Sequence, residues 1–318
     1  MIALSPFNAL LPAPAYATAE VFTGNCKTVL KGEDGMAQLG EMIADGAYVK
    51  DDSPCVYIYQ VETDGQKQTG VWAQVAPEGI KVHEQVLPEK VRRINTFRIR
   101  TGLEAKPVLL IYRPEVEIKK LIALITPTTP DNIYHDDQKI HRVWRVYDKK
   151  LVSALITVFA NVDSVYMADG HHRLAANPFK TLSALLMDTD DIRVKPYHRL
   201  IKTNKDLDKY FQVLKAGEPV LPKRKGYFGL LKDEHWYHLV ARRSKDHDTE
   251  TLAAIFDYIE YTPELKGEPG KLLFTLAPLH ISEVLKAADA GIILPPKSTW
   301  IEPKIPYGLL MNKHDLLI

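Results

Sequence analysis

The pattern of hydrophobic and polar positions predicts that strands and helices are mixed over the first two hundred residues. A β-rich run at 54–59, a Thr-Asp-Gly turn at 63–65 and an alternating run at 70–75 predict a β-hairpin. A continuous apolar run and a second alternating run predict strands at 107–112 and 140–147. Charged stretches with spaced apolar positions predict three helices, at 87–101, 114–125 and 149–159.

The segment at 164–187 combines a strand, a tight turn and a short helix. Residues 164–168 predict a strand and Asp169-Gly170 a turn. His171 to Ala176 predict the first turns of a helix, which Asn177-Pro178 ends early. A further apolar strand is predicted at 182–187, and we expect residues 194–201 to continue the same sheet.

Beyond residue 201 the character of the chain changes. The pattern predicts charged helices at 204–215 and 250–260, strands at 227–240 and 271–276, and a helix at 281–290 before a proline-rich end. We therefore expect an α/β chain of α+β type. Its first part would comprise residues 1–201, and a C-terminal α/β part at 202–318 would pack on the cleft.

Charge and cysteine content narrow the function classes. The chain has 41 Lys plus Arg against 40 Asp plus Glu, so no broad positive field favours extended nucleic-acid binding. Cys26 and Cys55 are too few for a disulfide framework and are typical of a reducing cytosol. The start lacks a basic leader and is interrupted by Pro6, Pro12 and Pro14. We expect no signal peptide, no membrane span and a cytoplasmic protein.

The turn at Asp169-Gly170 is the strongest candidate for chemistry. A strand that passes through Gly170 directly into a helix exposes backbone N–H groups, and these favour an anion together with the helix dipole. Arg173 lies in the first helical turn, where its guanidinium can reach a phosphate or carboxylate. His171 and His172 point about 100° apart on a helix, so they cannot share one metal in the usual way. Asp169 could orient a histidine, hold Mg²⁺ or only cap the helix. The alternative is a capped helix start with two surface histidines.

Three other places carry candidate binding residues. His83-Glu84 is either a general base beside an imidazole or a solvated loop pair, and one helical arginine such as Arg92 could bind a substrate anion. His198-Arg199 could point to the site or to water. In the tail, Lys297-Ser298-Thr299, with Lys304 beyond, could bind a second anion or form an edge strand. Because two prolines stiffen this tail, we expect Lys297 to lie near the Gly170–Arg173 turn.

Several motifs along nearly the whole chain resemble those of the bacterial and archaeal proteins catalogued as domain of unknown function (DUF) 1015. The Asp169-Gly170-His171-His172-Arg173 run and the Pro-Lys-Ser-Thr ending at 296–299 are specific together. Two regions depart from the family pattern, namely the segment after Pro14 and the helix ended by Pro178. The supporting motifs are Pro6-Phe7-Asn8-Ala9-Leu10 with Pro12, His83-Glu84, Pro196-Tyr197-His198-Arg199, Glu302-Pro303-Lys304 and Gly308-Leu309.

This resemblance implies a relation to the ParB/sulfiredoxin-like group, and hence a mixed sheet with helices within residues 1–201. Members of that group bind nucleotide phosphates at the equivalent turn and include free-serine kinases that use ATP or ADP. The resemblance thus implies a nucleotide-phosphate site at Gly170, His171, His172 and Arg173. The kinases of the group use an acidic residue as base, and Glu84 is the best match.

We therefore expect a nucleotide-dependent phosphotransferase that acts on a small hydroxylated metabolite, such as the free amino acid serine. Arg173 and the helix amides would hold phosphate, while Asp169 or a histidine such as His172 would place Mg²⁺. Glu84 would take the hydroxyl proton. The alternative is a non-catalytic nucleotide- or nucleic-acid-binding regulator. The expected substrate contacts are His83, Arg92, His198, Arg199, Lys297, Ser298 and Thr299.

Overall fold

The computed structural model describes residues 2–13, 35–136, 139–245, 247–295 and 297–315. Pro14 and the segment after it, Cys26 and Pro296 lie outside the described residues. The chain divides into two units. The first comprises Met1–Val82, Val86–Ile192 and Pro303–Ile318, and the second comprises His83–Gln85 and Arg193–Glu302.

The first unit contains helices and strands in mixed order along the chain. Up to Ile192 its elements are β1 (Leu4–Ser5), β2 (Leu10–Pro12), α1 (Gly35–Ala44), β3 (Tyr48–Lys50), β4 (Val56–Thr63), β5 (Gln66–Val75), α2 (Pro88–Thr101), β6 (Leu103–Glu104), β7 (Val108–Tyr112), α3 (Val116–Ile125), β8 (Asn132–Asp136), β9 (Lys139–Val146), α4 (Lys149–Ala160), β10 (Tyr166–Asp169), α5 (His171–Ala175) and β11 (Leu182–Asp188).

An eight-stranded mixed sheet organises this unit. Its strands follow the order β10-β7-β11-β5-β4-β9-β8, and β1 pairs with β5. Strands β7 and β11 run parallel, whereas the other pairs are antiparallel. The predicted hairpin is confirmed as β4–β5. Asp64 and Gly65 both have positive φ, as a two-residue turn that matches the strand twist requires.

The two faces of this sheet differ in chemistry. One face buries aliphatic side chains such as Val71 and Leu186 in a core that includes Ile118 of α3 and Phe159 of α4. The opposite face buries polar groups, for example the Trp72 indole, which donates to the Ser183 hydroxyl at 2.8 Å. Burial of the indole N–H is tolerated because it is hydrogen-bonded.

The second unit contains the elements β12 (Arg193–Lys195), β13 (His198–Ile201), β14 (Phe211–Ala216), β15 (Tyr227–Lys232), β16 (His235–Ala241), α6 (Asp248–Ile255), β17 (Glu260–Thr262), β18 (Leu272–Thr275), α7 (Ile281–Asp289) and β19 (Trp300–Glu302). Six of its strands form one sheet in the order β14-β16-β15-β18-β13-β17, and β12 pairs separately with β19. In the first unit, the tail strand β20 (Asn312–Lys313) pairs with β6.

The α/β class with a mixed sheet is confirmed, but two local predictions are wrong. Residues 194–201 do not continue the first sheet, because β13 pairs with β17 and β18 of the second unit. Residues 204–215 do not form a helix, because β14 pairs with β16 and buries Phe211. In both places strand pairing outweighs the local pattern. Among the described residues, no helix has both the length and the apolar character needed to cross a bilayer.

Candidate functional site

The turn after β10 places the Arg173 guanidinium close to the backbone of Gly170. The pairing register of β10 with β7 shifts between Met167 and Asp169, and Gly170 then adopts a φ of 107°. A Cβ atom at Gly170 would lie 2.8 Å from Nη2 of Arg173. Glycine is therefore favoured at this position for the backbone conformation, and a Cβ atom would in addition displace the Arg173 guanidinium.

Asp169 accepts hydrogen bonds from two cations. Nη2 of Arg173 lies 2.7 Å from Oδ2, and Nζ of Lys304 lies 2.8 Å from Oδ1. Burial alone would raise the pKa of the Asp169 carboxyl, but Arg173, Lys304 and Lys106 together hold that pKa well below its usual range. We call Lys106, Asp169, Gly170, Arg173 and Lys304 the Asp169 cluster. Its three cations outnumber the one carboxylate, and this excess favours anions.

The two adjacent histidines have different environments. His171 is buried, whereas His172 is half-buried, and Nε2 of His172 accepts a hydrogen bond from the backbone N–H of Leu87 at 3.0 Å. An accepting Nε2 requires the neutral imidazole with its proton on Nδ1. The alternative of two surface histidines is therefore wrong for His171, and His172 anchors the start of α2.

Arg98, a buried arginine that the sequence analysis did not single out, contacts the backbone of the Gly170–Arg173 turn. Nη1 of Arg98 donates to the backbone carbonyl of Arg173 at 2.8 Å, and Nη2 lies 3.1 Å from Oε1 of Glu104. The other Glu104 oxygen lies 2.8 Å from Nε2 of His314. Helix α5 has only five residues and is too short to be stable by itself, so these contacts hold it in place. Arg92, by contrast, is exposed on α2.

The spacing of apolar residues along α2 indicates that Arg98 is buried. Val91, Ile94, Arg98 and Thr101 follow one another at helical spacing on one face of α2, and Arg98 and Thr101 are its buried residues. An arginine on such an apolar stripe indicates a buried partner. Lys106 has no comparable signal, because its proximity to Asp169 arises only in the folded chain.

The described residues do not fit Mg²⁺ at Asp169. Both carboxylate oxygens already accept from cations, and a metal ion would have to displace one of them. Within the described ranges, no group of three or more His, Cys, Asp or Glu side chains could hold a metal. Phosphate groups fit this set of donors better, since arginine and lysine are their usual partners.

The second unit gathers another set of predicted residues around Arg199. The Arg199 side chain is only 2% exposed, and its guanidinium donates to the backbone carbonyls of Tyr197 at 2.8 Å and Lys297 at 3.0 Å. It also lies 4.7 Å from the ring centre of Tyr261. Burial lowers the pKa of Arg199 to about 10, while Tyr261 and the Glu84 carboxylate favour its charged form. We call His83, Glu84, Tyr197, His198, Arg199 and Lys297 the Arg199 cluster.

Backbone contacts connect the three segments that form this cluster. The carbonyl of His83 accepts from the backbone N–H of Leu294 at 2.7 Å, and Glu84 forms a parallel bridge with Leu294. His83 is completely buried and Glu84 half-buried, so this pair is not a solvated loop. His198 is also buried, and burial, together with Arg199, lowers its pKa to about 4. Its imidazole is therefore neutral at pH 7.

Lys297 has an unusual backbone conformation, and its ammonium contacts the aromatic side chain of Tyr197. Its φ is 61°, a region that residues other than glycine rarely adopt. Its ammonium lies 3.4 Å from the Tyr197 hydroxyl and 5.1 Å from the centre of that ring. Ser298 and Thr299 are buried, and the Ser298 hydroxyl donates to the carbonyl of Pro295 at 2.7 Å. The expected proximity of Lys297 to the Gly170–Arg173 turn stays a prediction.

Comparisons with known proteins find solved structures that are similar to this chain. No curated protein matches the sequence significantly. Structures of a free serine kinase with AMP, and of a mutant with ADP, are similar at 16% identity and a TM-score of 0.46, over 78% of this chain and 92% of theirs. C-terminally truncated SbnI from Staphylococcus aureus is similar at 9% identity and a TM-score of 0.46, over 73% and 82%. A conserved hypothetical protein from Pyrococcus furiosus is similar at 15% identity and a TM-score of 0.44, over 78% and 95%.

One protein-family model matches most of the chain. The family described as "Protein of unknown function (DUF1015)" matches residues 31–260, well over half of the sequence. This matched region contains the Asp-Gly-His-His-Arg run, the His83-Glu84 pair and the His198-Arg199 pair. The chain therefore belongs to the DUF1015 family.

Proposed function

We propose that this protein is a nucleotide-dependent phosphotransferase that acts on a small hydroxylated metabolite, such as a free amino acid. The observation that carries this proposal is the charge of the Asp169 cluster, in which three cations surround a single carboxylate at a glycine turn. Cations that outnumber the carboxylate at a turn suit the phosphate groups of ATP or ADP. Phosphoryl transfer depends mainly on positioning and charge neutralisation, which such a cluster can supply.

Each member of the cluster has a distinct proposed role. A bound ATP or ADP would supply the phosphoryl group. Arg173 would bind phosphate oxygens through its planar guanidinium, and Lys304 and Lys106 would add point charges. Asp169 would keep these cations together in the absence of nucleotide. Its strongly lowered pKa makes it a poor proton acceptor at neutral pH, so we assign it an anchoring role rather than that of a base.

Glu84 is the proposed general base. It is half-buried and belongs to the Arg199 cluster, where Arg199 balances its charge. His172 is less suited to this role, because its Nε2 is already hydrogen-bonded to the backbone of Leu87. The proposed acceptor contacts remain His83, His198, Arg199, Lys297, Ser298 and Thr299, together with the exposed Arg92.

One observation favours a second candidate function, a regulator that binds nucleotide without turning it over. In the Asp169 cluster the carboxylate is paired with cations, and the neighbouring His172 is engaged with the backbone. Neither group is available to take a proton at the turn itself. Turnover of ATP or ADP with a panel of free amino acids separates the two functions, since a regulator would bind nucleotide and produce no phosphorylated product.

Substitution of Arg173 tests the nucleotide site. We expect Arg173→Met to weaken ATP binding by about 1.5–3 kcal/mol, the range for a hydrogen bond to a charged group. Isothermal titration calorimetry measures the affinity, and circular dichroism checks the fold. The matched control is Lys120→Met, which removes an exposed cation that pairs with Glu117 on α3. Equal ATP affinity in a folded Arg173→Met variant and in the control would remove the basis of the proposal.

Substitution of Glu84 tests the proposed base. We expect Glu84→Gln to retain ATP binding and to lose turnover by roughly 10²-fold or more, as for the loss of a general base. The control is Glu234→Gln, which alters an exposed carboxylate of the second unit. If Glu84→Gln and the control turn over substrate equally, Glu84 is not the base.

A further inference from the structure

The Arg199 cluster contains one cation, Lys297, with which no carboxylate in the described part of the chain forms an ion pair. Glu84 stabilises the charged form of Arg199, and His198 is neutral at pH 7. Among the described residues, no carboxylate forms an ion pair with Lys297, whose ammonium contacts only the ring and hydroxyl of Tyr197. Lys297 therefore provides a positive charge that no ion pair within the described residues neutralises.

The backbone holds Lys297 in a conformation that is unfavourable for a side-chain-bearing residue. Two contacts maintain it, namely the hydrogen bond from Arg199 to the Lys297 carbonyl and the hydrogen bond from Ser298 to Pro295. Of the described non-glycine residues with a positive φ, Asp64, Asp233 and Glu234 lie in hairpin turns, whereas Lys297 lies between α7 and β19. Outside such turns, this conformation persists where surrounding contacts enforce it, and it is found at ligand-binding positions. A fixed backbone restricts where the ammonium can lie, which favours binding.

We propose that Lys297 and Tyr197 bind the carboxylate of a small organic acid. The ammonium and the hydroxyl lie 3.4 Å apart, so each can donate to one oxygen of a carboxylate. Both residues are half-buried and thus accessible to a small ligand. The one ammonium of Lys297 matches the single negative charge of a carboxylate better than a phosphate dianion. The inference rests on the proposed function in that the bound acid would be the phosphoryl acceptor, namely a free hydroxy- or hydroxyamino acid.

Direct binding of small acids to the full-length protein, without nucleotide, tests this site. The probes are L-serine, L-threonine and D-glycerate, measured by isothermal titration calorimetry. We expect Lys297→Met to weaken binding roughly 10- to 100-fold, as for the loss of a charge-assisted contact. Lys297→Arg should retain most of the affinity, and Tyr197→Phe should lose roughly three- to tenfold. The control Lys232→Met, at an exposed lysine of the same unit, should bind like the wild type.

L-Serinamide provides the decisive ligand comparison, because it keeps the hydroxyl and amine of serine but lacks the carboxylate. We expect it not to bind. The inference is overturned if none of the three acids binds the wild type, if L-serinamide binds as tightly as L-serine, or if Lys297→Met equals its control. It is also overturned if Lys297→Met abolishes binding of inorganic phosphate while binding of the acids is unchanged.

The outcome is separable from that of the proposed function. ATP binding and turnover are measured on the same protein samples, and Arg173→Met should weaken binding of ATP but not of L-serine. Lys297-dependent binding of L-serine in a protein that does not turn over ATP would disprove the phosphotransferase and leave the carboxylate site intact.

Discussion

The Asp169 and Arg199 clusters use arginine in opposite ways. In the Asp169 cluster, Arg173 is partly exposed and bonds a side-chain carboxylate, which is itself 27% exposed. In the Arg199 cluster, the guanidinium is almost fully buried and bonds backbone carbonyls. A guanidinium near the surface can replace a carboxylate by a phosphate, but a buried one that saturates backbone acceptors cannot leave them without cost. Arg173 is therefore suited to ligand binding, and Arg199 to holding the backbone on which Lys297 lies.

The largest expected effect is on stability, at Arg199. We expect Arg199→Met to destabilise the protein by about 3–5 kcal/mol, because the buried guanidinium and its hydrogen bonds to the part-buried carbonyls of Tyr197 and Lys297 would be lost. Urea denaturation measures the free energy of unfolding.

Arg243→Met is the matched control, since it changes an exposed arginine of the same unit. We expect this control to change the free energy of unfolding by less than about 0.5 kcal/mol. Similar stabilities of Arg199→Met and Arg243→Met would show that the contrast between the two clusters is wrong.

Acid should distinguish the clusters by the pH range in which each loses stability. The pKa of His198 is lowered by burial, and further by Arg199, to about 4, below its unfolded value of about 6.5. As the pH falls from 6.5 to 4, the unfolded chain binds a proton that the folded chain does not, so stability falls. For Asp169 the pKa is also lowered, but its contribution is present above the unfolded carboxyl pKa, about 3.9, and is lost only below that pH.

His198→Asn isolates the histidine contribution. Between pH 6.5 and 4 we expect the wild type to lose up to about 3 kcal/mol more than this variant. His141 of the first unit is buried with a similarly low pKa, so only the difference between variant and wild type is interpreted. His238→Asn, at an exposed imidazole, should leave the slope of stability against pH unchanged. Parallel slopes for His198→Asn and the wild type would contradict a neutral, buried His198.

The smallest expected effect is at Gly170, where Gly65 provides a matched control. Both glycines have positive φ, but a Cβ atom meets the Arg173 guanidinium at Gly170 and open space at Gly65. We expect Gly65→Ala to cost about 1–2 kcal/mol from the backbone alone. Gly170→Ala should cost about 1 kcal/mol more and should also weaken ATP binding, because Arg173 must move.

Urea denaturation and ATP titration of the two variants test this comparison. An equal loss of stability together with unchanged ATP affinity in Gly170→Ala would mean that Arg173 does not depend on the close approach at Gly170.

Prediction from sequence succeeded where the structure depends on neighbouring residues. The Asp64-Gly65 turn and the strand–turn–helix around Gly170 are local, and both are present as predicted. It failed at β13 and β14, where the strands are defined by partners that lie far along the chain. The boundary proposed at residue 201 coincides with the end of strand β13, whereas the second unit begins at Arg193 apart from His83–Gln85 and the tail from Pro303 belongs to the first unit.

By itself, the sequence determined the mixed α/β class, the family and the position of the Asp-Gly-His-His-Arg turn, because periodicity, turn residues and short motifs are local properties. Only the tertiary structure decided which charges act together. Lys106 and Lys304 are each more than sixty residues away from Asp169 in the sequence. Only folding brings their ammonium groups near its carboxylate. It also decided that Arg98 and Arg199 are buried while Arg92 is exposed, since the partners that stabilise a buried guanidinium come from distant segments.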